Sequence, residues 1–541
     1  MKKSYTIALL LTLCCSIFVA CNEKTTSKTP IDRPDSPIVI LYDNDVHCSV
    51  DGYAALVALR NEQLSESQYV ATVSCGDFAS GGLVGAISKG EEITKIMNYV
   101  GYDVVTLGNH ELDYGFEQMF AITDLLEAQV VCANLKNVQT NSFPYPAYHI
   151  VKYGDVDVAY IGLTTTSSGT VTSLSDAQGA PLYSFMREEF YDIAQHQIDE
   201  ARRSGADYVI VLAHLGDSQS SATTPSSVSL INNTTGLDAV IDGHDHHTIE
   251  SMTIYDRSGK GVVLTSSGTN FTHIGKLSID TEGNIHSEII DITTCTADND
   301  TQQFIEQIKA EIGELGNFSI GRSDVDLMIY DADGNRTVRK EECNLGDFCA
   351  DAFRIFTNAD IALVNGGGIR SNLMRGDILF NDLYNVMPFG DMVATGWLTG
   401  AQIVDILEYS ASALPKEAGS FMQVSGLQFE VDPNIATLVV MDPESMLYSH
   451  IEDGERRVSN VKILDRESNE YRDIELSREY TIATLDYLIL EKGNNGILDC
   501  VTPNPAYWGA DIEILRHYLE TTLNGYIGEE YSQPQGRIIL K

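Results

Sequence analysis

The sequence predicts two consecutive α/β domains: a layered β-sheet domain with flanking helices, then a second α/β domain. Three observations carry this. The chain has 541 residues, more than one hydrophobic core accommodates. From Pro37 to Ile292 short apolar runs alternate with helix-like stretches, as α/β layers do. After a charged, helix-like stretch at Asp300–Leu315 the alternation resumes and continues to Lys541.

The first residues read as an export signal. Lys2 and Lys3 precede an apolar run, Ile7 to Ala20, that is too short for a comfortable membrane span. Phe18-Val19-Ala20-Cys21 resembles a lipobox, with Cys21 as the lipidated residue and Phe18 departing from the usual Leu. The expectation is a signal over 1–21, a polar tether over 22–36, and an exported, lipid-anchored protein facing the periplasm or cell surface. Asp plus Glu (77) outnumber Lys plus Arg (35), giving a net charge of −42. Such a balance argues against a nucleic-acid or anionic-membrane binder. An anionic substrate would have to be held by local metal ions and a few arginines. Seven of the ten cysteines lie beyond the signal, scattered and without a CxxC pair. They predict neither a disulfide framework nor a cysteine metal site, but small buried packing residues.

In the first domain, expected over 37–299, the strand candidates are Ile38–Leu41, Tyr69–Ser74, Val104–Leu107, Val156–Leu163, Tyr208–Ala213 and Ala239–Ile241. Five of them run almost directly into polar residues. These are Asp43-Asn44-Asp45-Val46-His47, Gly76-Asp77, Gly108-Asn109-His110, His214 and His244. Sites in open α/β sheets gather beyond the carboxyl ends of strands. A two-metal site needs about seven ligand groups and a bridging carboxylate between ions ~3.5–4 Å apart. Asp45 and His47, and again His244 and His246, stand at alternate positions, which point the same way on an extended strand end. Asp77, Asn109 and His214 complete the set. With Asn109 as a ligand, His110 is left to face substrate. Asp113, three residues on, falls on the same face if a helix begins there, or serves as a first-turn carboxylate at the helix dipole.

These runs, Asp45-Val46-His47, Gly76-Asp77, Gly108-Asn109-His110-Glu111, Ala213-His214 and Gly243-His244-Asp245-His246, resemble in order and spacing the calcineurin-like metallophosphoesterase signature. With the second region the chain resembles the bacterial 5′-nucleotidase/UDP-sugar hydrolase family, relatives of animal ecto-5′-nucleotidase. The resemblance implies a metallophosphoesterase-type fold and two divalent ions, Zn, Mn or similar. It implies that Asp45, His47 and His246 bind one ion, that Asn109, His214 and His244 bind the other, and that Asp77 bridges. It implies a catalytic His110–Asp113 dyad. The chemistry then expected is attack on phosphorus by hydroxide formed on the metals, with His110 offsetting transition-state charge.

A linker helix is expected over 300–319 and the second domain over 320–541. Arg339 and Arg370 are candidate phosphate contacts, because guanidinium matches phosphate oxygens in a bidentate way; Arg336 rivals Arg339. The run Gly366–Gly368 in Asn365-Gly366-Gly367-Gly368-Ile369-Arg370 would let backbone approach a ligand. The family resemblance implies substrate contacts for Arg339, Asn365 and Arg370, and a nucleobase sandwiched between Phe389, in Met387-Pro388-Phe389-Gly390, and Tyr487. Here Gly493-Asn494-Asn495-Gly496 departs from the family's Gly-Gly-Asp-Gly, so Asn495 replaces a ribose-binding aspartate. Release of phosphate from nucleoside 5′-monophosphates is the leading expectation. UDP-sugar or 2′,3′-cyclic nucleotide hydrolysis is the enzymatic alternative, and a ligand-binding surface lipoprotein the non-enzymatic one.

Overall fold

The computed structural model describes residues 34–166, 174, 181–217, 225–443, 447–466, 468–490, 493–501 and 506–541. The expected signal and all but the last three residues of the expected tether lie outside the described residues.

Among the described residues, fourteen strands build the first half. They are β1 (Ile38–Asp43), β2 (Tyr69–Ser74), β3 (Val104–Thr106), β4 (Gln129–Val131), β5 (Leu135–Asn137), β6 (Tyr148–Tyr153) and β7 (Val156–Thr164). Then follow β8 (Tyr183–Phe185), β9 (Tyr208–His214), β10 (Ala239–Ile241), β11 (Thr248–Tyr255), β12 (Gly261–Ser267), β13 (His273–Ile279) and β14 (Ile285–Asp291). Two six-stranded sheets result, in the orders β14-β13-β1-β2-β3-β4 and β11-β12-β10-β9-β7-β6. β1 is central, parallel to β2 and antiparallel to β13.

Strand alternation explains the layering. In β1, Ile38, Ile40 and Tyr42 face the second sheet and pack with Tyr160, Ile210 and Leu212. Val39 and Leu41 face outward, against α1 (Tyr53–Glu66), α2 (Gly82–Ser88) and α3 (Glu91–Val100). α4 (Phe116–Leu125) follows β3. On the far side α5 (Phe190–Arg203) and α6 (Ser227–Asn233) cover Val209 and Val211 through Ile198, Leu230 and Ile231. Each fully buried aliphatic side chain stabilises this sandwich by roughly 1.5–3 kcal/mol. The fold class thus matches the expected layered domain.

The expected linker helix is α7 (Asn299–Leu315), capped by Asp298, whose side chain accepts from Thr301 N–H. It does not stand free between domains. Ile305, Ile308 and Ile312, a helical stripe, are buried in the first-half core.

The second half is built around a five-stranded sheet in the order Met422–Ser425, Ile361–Asn365, Glu479–Leu485, Met392–Thr399, Ala506–Ala510, packed by α8 (Asn344–Thr357), with smaller sheets of four, three and two strands beside it among the described residues. α2 is the seam between halves. Its Val84 lies in the first core, and Ala86 belongs to the second. Of the seven described cysteines, all free, five are buried as expected; Cys295 is half-buried and Cys500 exposed.

Candidate metal centre

The carboxyl ends of β1, β2, β3, β9 and β10 open at one edge of the sandwich, and the sequence-predicted ligands meet there. Asp45, Asp77 and His214 are fully buried. Asp45, His47 and His246 present ligand atoms all within 4.8 Å of one another, and so do Asp45, Asp77 and His214. His214 Nε2 lies 2.9 Å from Asp77 Oδ2, 3.2 Å from Asn109 Oδ1 and 3.8 Å from Asp45 Oδ1. His246 Nε2 is 3.5 Å from Asp45 Oδ1 and 3.1 Å from His47 Nε2. The His244 ring stacks obliquely 5.3 Å from that of His214. Asp45 belongs to both groups here, whereas the family resemblance gives the bridging role to Asp77.

Local backbone is the surprise. The expected extended strand ends are absent: β1 stops at Asp43, and Asp45, His47, Asp77, His244 and His246 all have left-handed φ, between 45° and 90°. Non-glycine residues avoid this region at a cost of order 1–3 kcal/mol, and persist there where surrounding structure over-determines them, commonly at functional sites. The ligands of each pair therefore point together through tight left-handed turns, not through strand alternation.

Two residues to which the sequence analysis gave no role hold these turns. Glu111 is buried, and its carboxylate accepts from the main-chain N–H groups of Asp77, Phe78, Ala79 and Gly108 at 2.6–3.1 Å. It thereby ties the Asp77 loop to the Asn109 loop. Asn44 donates to Asp45 Oδ2 at 2.7 Å and to the Gly268 carbonyl, while its own oxygen accepts from Ser267 N–H. The signal for both was their place inside runs already marked as ligand-bearing. His244 N–H also donates to both oxygens of Asp45.

Electrostatics divides the imidazoles. Burial, then repulsion from His246 and His110, holds His47 down at about 4. Burial, then His214, holds His244 at about 3. Both are neutral at pH 7, the form that binds metals. Burial works against the Asp45 and Asp77 carboxylates, but the His214 charge and neighbouring imidazoles outweigh it and keep both below the usual range. For His214 burial is outweighed by Asp77 and Asp45, which lift it to about 9; its Nδ1 also donates to the Cys75 carbonyl at 2.8 Å. A mixed set of imidazole, carboxylate and amide donors, buried and already mutually close, fits a pair of divalent ions.

Beside them, His110–Leu112 forms one 3₁₀ turn, and His110 Nδ1 lies 2.9 Å from Asp113 Oδ2. His110 N–H donates to Asp77 Oδ1 at 2.8 Å. Burial pushes its imidazole down, but the charges of Asp113 and Asp77 and the Asp113 bond lift it to about 10.

The second half carries the expected substrate residues. Arg339 Nη2 and Arg370 Nη1 both donate to the Gly367 carbonyl, at 3.5 and 3.2 Å. The Arg370 guanidinium lies 5.7 Å over the Phe389 ring. Arg336 turns elsewhere, over Tyr330 and towards Glu417. Asn365 ends its strand buried, its Oδ1 without a hydrogen-bond partner in the protein. The Gly366–Gly368 run is packed closely against neighbouring backbone. A side chain at Gly366 would strike the Val338 carbonyl, and one at Gly367 would stand 3.0 Å from the Gly419 carbonyl. At Gly366 and Gly367 the missing side chain lets backbone approach backbone.

Phe389 and Tyr487 are not core aromatics: they are 54% and 37% exposed. Asp486, which opens the short helix Asp486–Leu490 that carries Tyr487, accepts at Oδ1 from Met392 N–H and so ties that helix to the end of the Phe389 loop. Asn495 Oδ1 accepts from the Tyr409 hydroxyl at 3.0 Å, so this amide oxygen is engaged within the protein. The halves meet at the site. A side chain at Gly390 would stand 2.9 Å from Gly82 N, and one at Gly81 would stand 2.5 Å from the His47 carbonyl. The Phe389 loop is therefore seated beside a predicted metal ligand.

Known proteins share this construction. The profile of the calcineurin-like phosphoesterases matches residues 38–248, and that of the 5′-nucleotidase C-terminal domain matches residues 319–500. A trifunctional nucleotide phosphoesterase of Bacillus subtilis is 28% identical over 450 residues. That match covers 73% of this chain but only 29% of the Bacillus protein, so the chain spans less than a third of that relative's length. A 5′-nucleotidase of Vibrio cholerae is 23% identical, with 89% of this chain and 88% of the relative covered. In fold, the NAD nucleotidase of Haemophilus influenzae superposes with a TM-score of 0.66 at 18% identity, covering 93% of this chain and 99% of the other.

Proposed function

We propose, for a chain whose two halves belong to the calcineurin-like phosphoesterase and 5′-nucleotidase C-terminal domain families, that it releases phosphate from nucleoside 5′-monophosphates. The observation that carries this reading is the seating of the Phe389 loop against Gly81 and Gly82, beside His47. It joins a surface suited to a base to a cluster suited to a phosphoryl group.

Asp45, His47 and His246 would hold one divalent ion, and Asn109, His214 and His244 the other, with Asp77 between them. The ions supply an activated water and positive charge for the phosphoryl oxygens. His110 has its Nδ1 committed to Asp113 and stays protonated at neutral pH. Its Nε2 proton is then available to the charge that builds on the phosphoryl group and leaving oxygen. Arg370 and Arg339 position anionic oxygens, Asn365 offers its unpartnered amide oxygen, and Phe389 and Tyr487 stack on the base at roughly 1–3 kcal/mol per base. The engagement of Asn495 by Tyr409 weakens its claim on ribose.

Turnover of AMP, UDP-glucose, 2′,3′-cyclic AMP and a simple phosphoester, with Zn²⁺ or Mn²⁺ added and the products separated by chromatography, tests the reading. AMP should be turned over fastest. No turnover of any of the four would sink the hydrolase, and a preference for UDP-glucose or the cyclic nucleotide would move the substrate.

Lys2, Lys3, the apolar run and Cys21 support export with a lipid anchor. Incorporation of labelled palmitate, lost on Cys21→Ser, is the corresponding measurement.

A further inference from the structure

Two loops that carry ligands of the dinuclear centre carry a second group as well. After His214 the chain passes through Leu215 and Gly216 to Asp217. In His244-Asp245-His246-His247, the first and third residues serve the buried centre, while the second and fourth belong to this other group. Asp217, Asp245 and His247 offer two carboxylate oxygens and an imidazole nitrogen, all within 4.8 Å of one another. His247 Nδ1 is 2.8 Å from Asp217 Oδ1. Asp245 comes in across Gly216, where an added side chain would stand 2.5 Å from its carboxyl carbon.

We propose that Asp217, Asp245 and His247 form a third divalent-cation site on the rim of the dinuclear centre. A surface His–Asp pair would need no second carboxylate, and alone would contribute at most about 1 kcal/mol. Here a second carboxylate is held against the pair, in a chain already of net charge −42. A dication cancels both acids, and the neutral imidazole completes a mixed oxygen and nitrogen set suited to Zn²⁺ or Mn²⁺. Ligand atoms around a tetrahedral zinc, each ~2.0–2.2 Å from the ion, lie about 3.3 Å apart. The 2.8 Å contact therefore needs to open by only about half an ångström. The His247 side chain is 61% exposed, so the remaining coordination position faces water and the ion exchanges more readily than a buried pair.

Such an ion links the loop after β9 to the loop after β10. Those loops also carry His214, His244 and His246, so occupancy would fix the spacing of three dinuclear ligands. That consequence rests on the dinuclear reading, whereas binding of the third ion does not.

The full chain, stripped with a chelator and dialysed to equilibrium against excess free Zn²⁺, is the material for the test, with metal counted by mass spectrometry. Wild type should hold three ions and Asp217→Asn/His247→Gln two, with unchanged circular dichroism. Asp77→Asn should lose the buried pair and keep the outer ion. Equal metal content in wild type and the double variant overturns the proposal. If Asp77→Asn loses nothing while the double variant loses one ion, the dinuclear reading fails and the rim site stands. With both readings correct, the double variant should reach wild-type turnover at saturating Mn²⁺ but require on the order of tenfold more of it.

Discussion

In the first half of the site, Asp45, Asp77 and His214 are fully buried, and the side chain of each is held by a main-chain group: His244 N–H, His110 N–H and the Cys75 carbonyl. In the second half, Phe389 and Tyr487 stand 54% and 37% exposed, and one carboxylate, Asp486, ties the Tyr487 helix to the Phe389 loop through Met392 N–H. On the proposed reading each half takes part of one substrate, and they are built differently for a physical reason. Charge stabilisation gains most from fixed dipoles in a dry setting, where nothing must reorganise as the reaction proceeds. Stacking on a base needs only a flat apolar face and tolerates variation in what it meets. Rate should thus depend on the first half and substrate choice on the second.

The sharpest way to break that division is His110→Ala. It should lower kcat by about 10²–10⁴-fold while metal content stays that of wild type. Comparable kcat in the variant would remove rate control from the first half.

Glu111→Gln probes rigidity without touching a ligand. The amide presents an N–H where main-chain N–H groups already point, so the Asp77 and Asn109 loops lose their common anchor. Metal affinity should fall by about 10–100-fold, as for other residues that orient ligands, and excess metal should restore turnover. Wild-type affinity in a metal titration would show that the four amide bonds do not position the ligands.

Phe389→Ala should have the smallest effect. The ring is half exposed, so KM for AMP should rise by about 1–2 kcal/mol, roughly five- to thirtyfold, with kcat for a simple phosphoester unchanged. A matching loss on the simple phosphoester would blur the comparison, because that substrate carries no base.

Much of the first half was legible because apolar runs end where ligands begin. Tyr69–Ser74 and Ala239–Ile241 are strands with the expected bounds, and β9 extends its run by one residue to include His214. The left-handed turns at Asp45, His47, Asp77, His244 and His246 were not legible, because propensity assigns such φ values to glycine or asparagine and only tertiary structure imposes them on these residues. Glu111 was visible as part of a motif but not as an anchor, since three of its donors lie on the Asp77 loop. In the second half Asn495 read as a loosened ribose contact; that its oxygen is taken by Tyr409, 86 residues away, has no local signature. The charged face of α7 made it read as a linker, although Ile305, Ile308 and Ile312 were spaced for docking.

The position of β1 has a consequence for biogenesis. This first strand is central, and its antiparallel neighbour β13 ends at Ile279. Asp45 and His246 are separated by 246 − 45 = 201 residues. At about 5–20 residues per second, the ribosome takes roughly 10–40 s to cover that interval. Throughout it, the early carboxylates and the late imidazoles belong to no common structure. A nascent or truncated chain has no half-strength version of the nest, and loading with ions is an event of the finished domain.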